Sequence, residues 1–320
     1  MEGGDGQALR PGTKGDIVNN DVLLNTDLPL PLFIRGKVRD TYELGELLLI
    51  IATDRISAFD VVLPGGIPGK GLVLNKLSAF WFSQTGDLLT NHLVEAVDDV
   101  HRLDAYLPAG SRFDYPSYLA RRSMVVKKVK RLPVECVVRG YISGSAWAEY
   151  KQSGTVSGNP MPRGLEESAE FSEPLFTPTT KAESGHDQPL SMEEMGKLVG
   201  GAVAEEIREK SLAVYSYARG YAQRRGIIIA DTKFEFGLDG DKLILIDELL
   251  TPDSSRFWDA ELYEVGQSQP SYDKQPVRDW LTASGWNKEP PAPMLPPDVI
   301  EATSKRYKQA YERLTGRKLS

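Results

Sequence analysis

The stretch DTKFEFGLDGDKLILIDELLTPDSSR, residues 231–256, constrains the chain more than any other. Asp231, Lys233 and Glu235 alternate with Thr232, Phe234 and Phe236, and a period of two puts the charges on one face of a strand and the aromatics on the other. Leu238, Asp239 and Gly240 read as the turn into a second strand. A two-residue Asp-Gly turn would set Asp231 opposite Glu248; a three-residue loop with Gly240 left-handed would set it opposite Asp247. The run 243–246 is apolar throughout and is compatible with both. Either way, several carboxylates converge at the end of a hairpin whose strands otherwise read as buried. Carboxylates at that spacing repel one another unless a cation joins them. Lys233 supplies one, and a divalent ion held by one or two carboxylates plus substrate phosphates would supply the rest. The plainer alternative is a solvated strand face with a salt bridge. The polar turn 251–255 with Arg256 after it favours a site, because loops at strand ends are where sites are built.

A chain of 320 residues is long enough for two lobes with separate sheets. Its net charge of −7 gives no global field for nucleic acid, and its longest clearly apolar run, Leu47–Ala52, is too short to span a membrane. The lone Cys136 permits no intrachain disulfide, which fits a reducing compartment. Residues 1–20 mix acidic and basic side chains with glycines and have the composition of a flexible tail, not of a secretory signal. Residues 21–130 read as an N-terminal lobe, 131–258 as a C-terminal lobe and 259–320 as an extension ending in helices.

Further candidates lie along the chain. Gly36, bracketed by Arg35, Lys37 and Arg39, suits a hairpin tip that covers a phosphate. PGGIPGKG (64–71) resembles a Walker loop but lacks its first glycine and its Ser or Thr, so it reads as the lead into a helix at about 72–85. The basic run 123–131 has no interleaved aromatics and reads as a strand entering an inter-lobe connection. PVECVVRG (133–140) is a strand ending at Arg139, and Ser145 is the expected N-cap of the helix that follows. Residues 159–189, rich in Pro, Glu, Ser and Thr and containing Lys181 and His186, read as one long loop. His186 has no partner at ligand spacing. Ser191 with Glu194 makes a capping box for a helical region that breaks near Gly200 and ends at Gly226.

GKVRDTY (36–42), TDRISAFD (53–60), PVECVVRGYISGSAW (133–147), DTKFEFG (231–237) and DELLTPDSSRFWD (247–259) occur in this order. With them the chain resembles the SAICAR synthetase family of purine biosynthesis, and SYDKQPVRDWL (271–281) is similar to its longer form. The resemblance implies an α+β, two-lobed fold, a sheet-rich N-lobe over a larger C-lobe, similar to protein kinase and ATP-grasp scaffolds. It implies an ATP-dependent carbon–nitrogen ligase that joins L-aspartate to carboxyaminoimidazole ribonucleotide (CAIR) with ATP and Mg2+. The enzyme expected is cytoplasmic, acts on small molecules without nucleic acid or membrane, and is a monomer, with a dimer as the alternative. Gly36, Lys37 and Arg39 would meet the ATP phosphates, Lys127, Lys128 and Val129 the adenine edge, and Glu135 a ribose hydroxyl. Arg139, Ser145 and Arg256 would grip the ribonucleotide phosphate, and Ser255 would also bind the substrate. Lys181, Asp231, Lys233 and Asp253 would line the reacting centre, and Glu235 and Asp247 would hold the metal.

Overall fold

A computed structural model describes residues 18–19, 22–107, 111–181 and 187–319. All of the expected tail except Val18 and Asn19 lies outside the described residues, as does His186.

The first sheet is antiparallel and five-stranded. Its strands are β1 (Leu32–Arg35), β2 (Arg39–Leu44), β3 (Leu47–Ala52), β4 (Leu93–Val97) and β5 (Ser123–Lys127), in the order β1-β2-β3-β5-β4. Helix α1 (Lys70–Gln84) packs on it. This helix starts two residues earlier than its composition suggests, and it buries polar as well as apolar side chains; two of the polar ones serve a backbone. Asn75 donates to the Arg121 and Ser123 carbonyls, and Ser78 Oγ accepts from Leu249 N–H. At its amino end Asp54 accepts from Gly71 N–H at 2.8 Å, so an internal carboxylate meets the helix start. Gly71 itself is required by space, since a Cβ there would lie 2.3 Å from the Ala52 carbonyl oxygen.

The second sheet is six-stranded. It holds β6 (Lys130–Arg131), β7 (Val134–Tyr141), β8 (Glu170–Thr180), β9 (Ile227–Asp239), β10 (Lys242–Ile246) and β11 (Ser255–Asp259). Strand β9 runs through the middle. β6 and β7 pair along one edge of it, β10 and β11 along the other, and β8 lies outside β7. The two sheets are joined where β5 passes into β6, and again where His92 and Leu245 N–H groups donate to the Leu245 and Thr90 carbonyls. Helices α2 (Gly144–Ser153), α3 (Met192–Val199), α4 (Gly201–Gln223), α5 (Gln275–Ala283) and α6 (Pro297–Thr315) complete the fold. The capping box of Ser191 and Glu194 is present, and Gly200 separates α3 from α4. Helix α4 packs on the apolar face of β9 and β7, and α6 packs on α1. One apolar cluster therefore runs from Leu77 and Trp81 through Phe234 and Phe236 to Tyr307 and Leu314.

Three expectations change. The hairpin turn is Gly240–Asp241, with Asp239 paired to Lys242 and Gly240 at φ 64°, the first central position where a type II′ turn needs glycine. Asp231 therefore faces neither Asp247 nor Glu248. β10 leaves the sheet at Asp247 (φ 68°), and Asp231 pairs with Arg256 on β11 instead. Residues 159–189 are not one loop, because β8 pairs with β7 from Val134–Thr180 onward. Pro174 and Pro178 argue against a strand, yet β8 is an edge strand, where a missing N–H is tolerated. Finally, the N-cap of α2 is Ser143, and Ser145 sits inside the first turn.

Candidate active site

Period two sorts β7 and β9 into a core face and a charged face. Val134, Cys136 and Val138 on β7 and Thr232, Phe234 and Phe236 on β9 are buried. The register sets Arg139 opposite Asp231 and Val137 opposite Lys233, so Glu135, Arg139, Asp231, Lys233 and Glu235 share the other face. Successive same-face residues stand about 7 Å apart along a strand, which spreads Asp231, Lys233 and Glu235 over about 13 Å.

At the Asp231 end two guanidinium groups converge. Arg256 forms an ion pair with Asp231, and Arg139 lies 3.5 Å from the same carboxylate. Arg139 also reaches Thr177 Oγ1 at 3.1 Å and Ser145 Oγ at 3.4 Å. The backbone makes room for this: at Gly144 (φ 56°) a Cβ would fall 2.3 Å from Arg256 Nη2. Beside it the Ser143 hydroxyl is buried with no hydrogen-bond partner among the described residues. Two guanidiniums, a helix start and a buried hydroxyl are the donors that an anion here would meet. Arg139, Ser145, Asp231, Lys233, Asp253 and Arg256 line one cleft.

In the middle, Lys233 Nζ sits 2.8 Å from Glu135, and Lys181 is 3.2 Å from Glu135 and ion-paired to Glu235. Burial alone would discourage ionisation of Glu135, but Lys233 and Lys181 outweigh it and hold its carboxyl below the ordinary range. At the far end Arg39 reaches across from β2 to Asp247 at 2.7 Å and to within 3.8 Å of Glu248. Burial, then the neighbouring Asp247, pushes Glu235 up; partial desolvation acts on Asp247 in the same sense, yet Arg39, Lys181 and Lys233 hold it down. Among the described residues no three His, Cys, Asp or Glu side chains gather as a metal cage. Glu235 and Asp247 nonetheless fit Mg2+, which binds through one or two carboxylates plus phosphates, because their mutual repulsion is relieved by an added cation.

The other expected residues are placed differently. Lys37 points away from Arg39 and pairs with Asp60 at the exposed hairpin tip, where Gly36 N–H donates to the Arg39 carbonyl. Lys127 and Lys128 make surface ion pairs with Asp239 and Glu43 around the 127–129 connection between the sheets. Ser255 is buried and shares a hydrogen bond with Thr232. Asp253 borders the cleft, while its carboxylate is engaged by Lys70, Lys274 and Tyr307.

Sequence reasoning missed Lys70, Tyr307, Ser143 and His92, and named Glu248 only as a possible partner of Asp231. Lys70 stood in the rejected Walker-like stretch, and a charged residue directly before an apolar helix was the only signal. His92 is buried, and its Nε2 donates to the Asp247 carbonyl at 3.1 Å. Burial lowers its pKa from 6.5 to about 4. The folded value lies below the unfolded one, so the unfolded chain binds more protons between them and stability falls as pH drops through that window. The loss is on the order of 3 kcal/mol at full protonation. Urea denaturation without nucleotide or divalent cation should show this acid loss in the wild type and a flatter profile between pH 6.5 and 4 in His92→Gln.

Comparison with known proteins gives a consistent result. The SAICAR synthetase family model matches residues 32–293. The phosphoribosylaminoimidazole-succinocarboxamide synthase of Thermodesulfovibrio yellowstonii is 53% identical over 296 residues, covering 92% of this chain and 99% of its own. That of Geobacter sulfurreducens is 50% identical over 299 residues, covering 93% and 99%. Among solved structures, the SAICAR synthase from Saccharomyces cerevisiae complexed with SAICAR superposes with a TM-score of 0.84 at 48% identity, over 92% of this chain and 99% of that one. The SAICAR synthetase from Pyrococcus horikoshii gives 0.62 at 26% identity, over 88% and 98%.

Proposed function

The chain belongs to the SAICAR synthetase family, and on that premise we propose that its charged cleft joins L-aspartate to CAIR with ATP, giving SAICAR, ADP and phosphate. One observation carries the reading at the level of residues. An anion site at Arg139, Ser143 and Arg256 and a carboxylate pair at Glu235 and Asp247 stand at opposite ends of one strand face. A ribonucleotide laid along that face would set its phosphate at one end and its imidazole carboxylate near the other.

A carboxylate does not accept an amine at neutral pH. Transfer of the ATP γ-phosphoryl group would make it an acyl phosphate. Attack of the neutral aspartate amine on the acyl carbon would then expel phosphate, and the nitrogen sheds one proton as the amide forms. The protein's task is to position and neutralise charge, which needs no covalent nucleophile. Arg139 and Arg256 would exchange Asp231 for the incoming phosphate. Lys181 and Lys233 would offset the negative charge of the transferring group. Glu235 and Asp247 would hold Mg2+, which supplies electrostatic stabilisation of the phosphates when bound. Arg39, already at Asp247, would face those phosphates, and the exposed Gly36–Lys37 tip and the 127–129 connection would border the nucleotide. Glu135, held by two lysines, fits a supporting role beneath that centre as well as the ribose contact the resemblance implies.

Product analysis with ATP, CAIR and aspartate, omitting each in turn, tests the reaction. ADP should form only when all three are present, or with CAIR alone at a slower rate. ADP formation with no new amide in the complete mixture would point to a kinase instead. Asp247→Asn should lower turnover beyond the roughly 10–100-fold that loss of a supporting partner costs a metal site. Turnover within a few-fold of wild type at saturating Mg2+ would remove Asp247 from metal binding. Arg256→Ala should raise the ribonucleotide KM by about ten- to a hundredfold, as loss of a charge-assisted hydrogen bond requires. The KM for ATP should change little, and Arg256→Lys should recover only part of the loss, because an ammonium cannot make the two-pronged contact.

A further inference from the structure

Behind the cleft, the loop that delivers Arg256 is held through Asp253 by two residues that do not line it, Lys70 and Tyr307. The Asp253 side chain is buried, and both of its carboxylate oxygens are taken. Lys70 Nζ, at the start of α1, lies 2.6 Å from Oδ2. The Tyr307 hydroxyl, from α6, donates to Oδ1 at 2.6 Å, and Lys274 Nζ approaches Oδ1 at 3.7 Å. Lys70 is fully buried and lies over the Tyr307 ring, 5.7 Å from its centroid. Three segments far apart in the chain thus meet on one carboxylate.

Stability alone does not explain this. A buried ion pair spends most of its attraction on desolvation, and apolar side chains of the same volume often serve as well. Two short, charge-assisted bonds do something apolar packing does not: they leave the carboxylate one position and one orientation. The loop transmits that position. Asp253 N–H donates to Thr251 Oγ1 at 3.2 Å, Ser255 N–H to the Thr251 carbonyl at 2.8 Å, and the Ser254 carbonyl accepts from Lys233 N–H at 2.9 Å. Arg256 is the next residue and is paired in register with Asp231.

We propose that Lys70 and Tyr307 are positioning residues, which clamp Asp253 and thereby set the 251–255 loop so that Arg256 meets the ribonucleotide phosphate. The inference rests on the functional reading above. It assigns the C-terminal helix a part in substrate binding, with α1 as the opposite jaw.

Tyr307→Phe removes one oxygen and keeps the ring in the core. It should raise the ribonucleotide KM about five- to twentyfold, with kcat and the KM values for ATP and aspartate within about twofold. In an Arg256→Ala background the same change should alter the ribonucleotide KM less than about twofold, because the group being positioned is gone. A plain structural staple would not produce that split. A ribonucleotide KM within twofold of wild type for Tyr307→Phe, or the same factor in both backgrounds, overturns the proposal. Lys70→Met should behave alike; should it fail to fold, Tyr307→Phe decides. If the wild type does not use CAIR at all, the functional reading fails instead. The clamp is then judged by amide exchange: Tyr307→Phe should speed exchange at residues 251–256, and unchanged exchange there overturns it.

Discussion

Every buried charge in this protein needs a partner, and that need ties its parts together. Removing a carboxylate or an ammonium from water costs several kcal/mol unless an opposite charge and hydrogen bonds meet it. The charged face of β9 carries Asp231, Lys233 and Glu235, and none of them is neutralised by its neighbours on the strand alone. Arg139 comes from β7, Lys181 from just beyond β8, Arg256 from β11, and Arg39 reaches Asp247 from the other sheet. The cleft is therefore where the two sheets have to meet. The pairs that hold it together without substrate are the same groups that anionic substrates would engage.

Strand β9 makes this possible by serving two partners on each edge. At 13 residues it is long enough for β11 to pair with its first half and β10 with its second. Between them the chain swings out through 247–254, and that excursion carries Asp247, Glu248 and Asp253. A hairpin that simply continued would have covered the cleft edge with a regular ladder. Left-handed backbone at Asp247 and Leu250 is the local cost of leaving the sheet there.

The core is equally shared. Helix α1 rests on the first sheet, yet its polar side chains bind the backbone of residues around 121–123 and 249, and its first residue ends in the Asp253 cluster. Helix α6 packs on α1 and supplies Tyr307 to the same carboxylate. The terminal helix, which by composition is only amphipathic, thus has one polar atom aimed at the loop beside the cleft.

Much of this was legible without coordinates. Period two in DTKFEFG assigned three charges to one face and the aromatics to the core, because strand geometry leaves no other choice. The capping box at Ser191 and the break at Gly200 follow from local hydrogen bonding and from glycine's freedom at φ 93°. Family membership, too, is written in motifs that survive as strings of residues. Pairing was not legible. Whether Asp231 faced Asp247, Glu248 or Arg256 depended on where the turn fell and where β10 left the sheet, and an apolar run carries no mark of register. The proline-bearing β8 looked like a loop because its place at a sheet edge is a property of the assembled sheet, not of its residues. Lys70, Ser143 and Tyr307 were silent for the same reason: a charge or hydroxyl acquires its role from the groups packed around it. Local rules settle which way a side chain points from its own strand or helix; only the tertiary structure decides what it meets there.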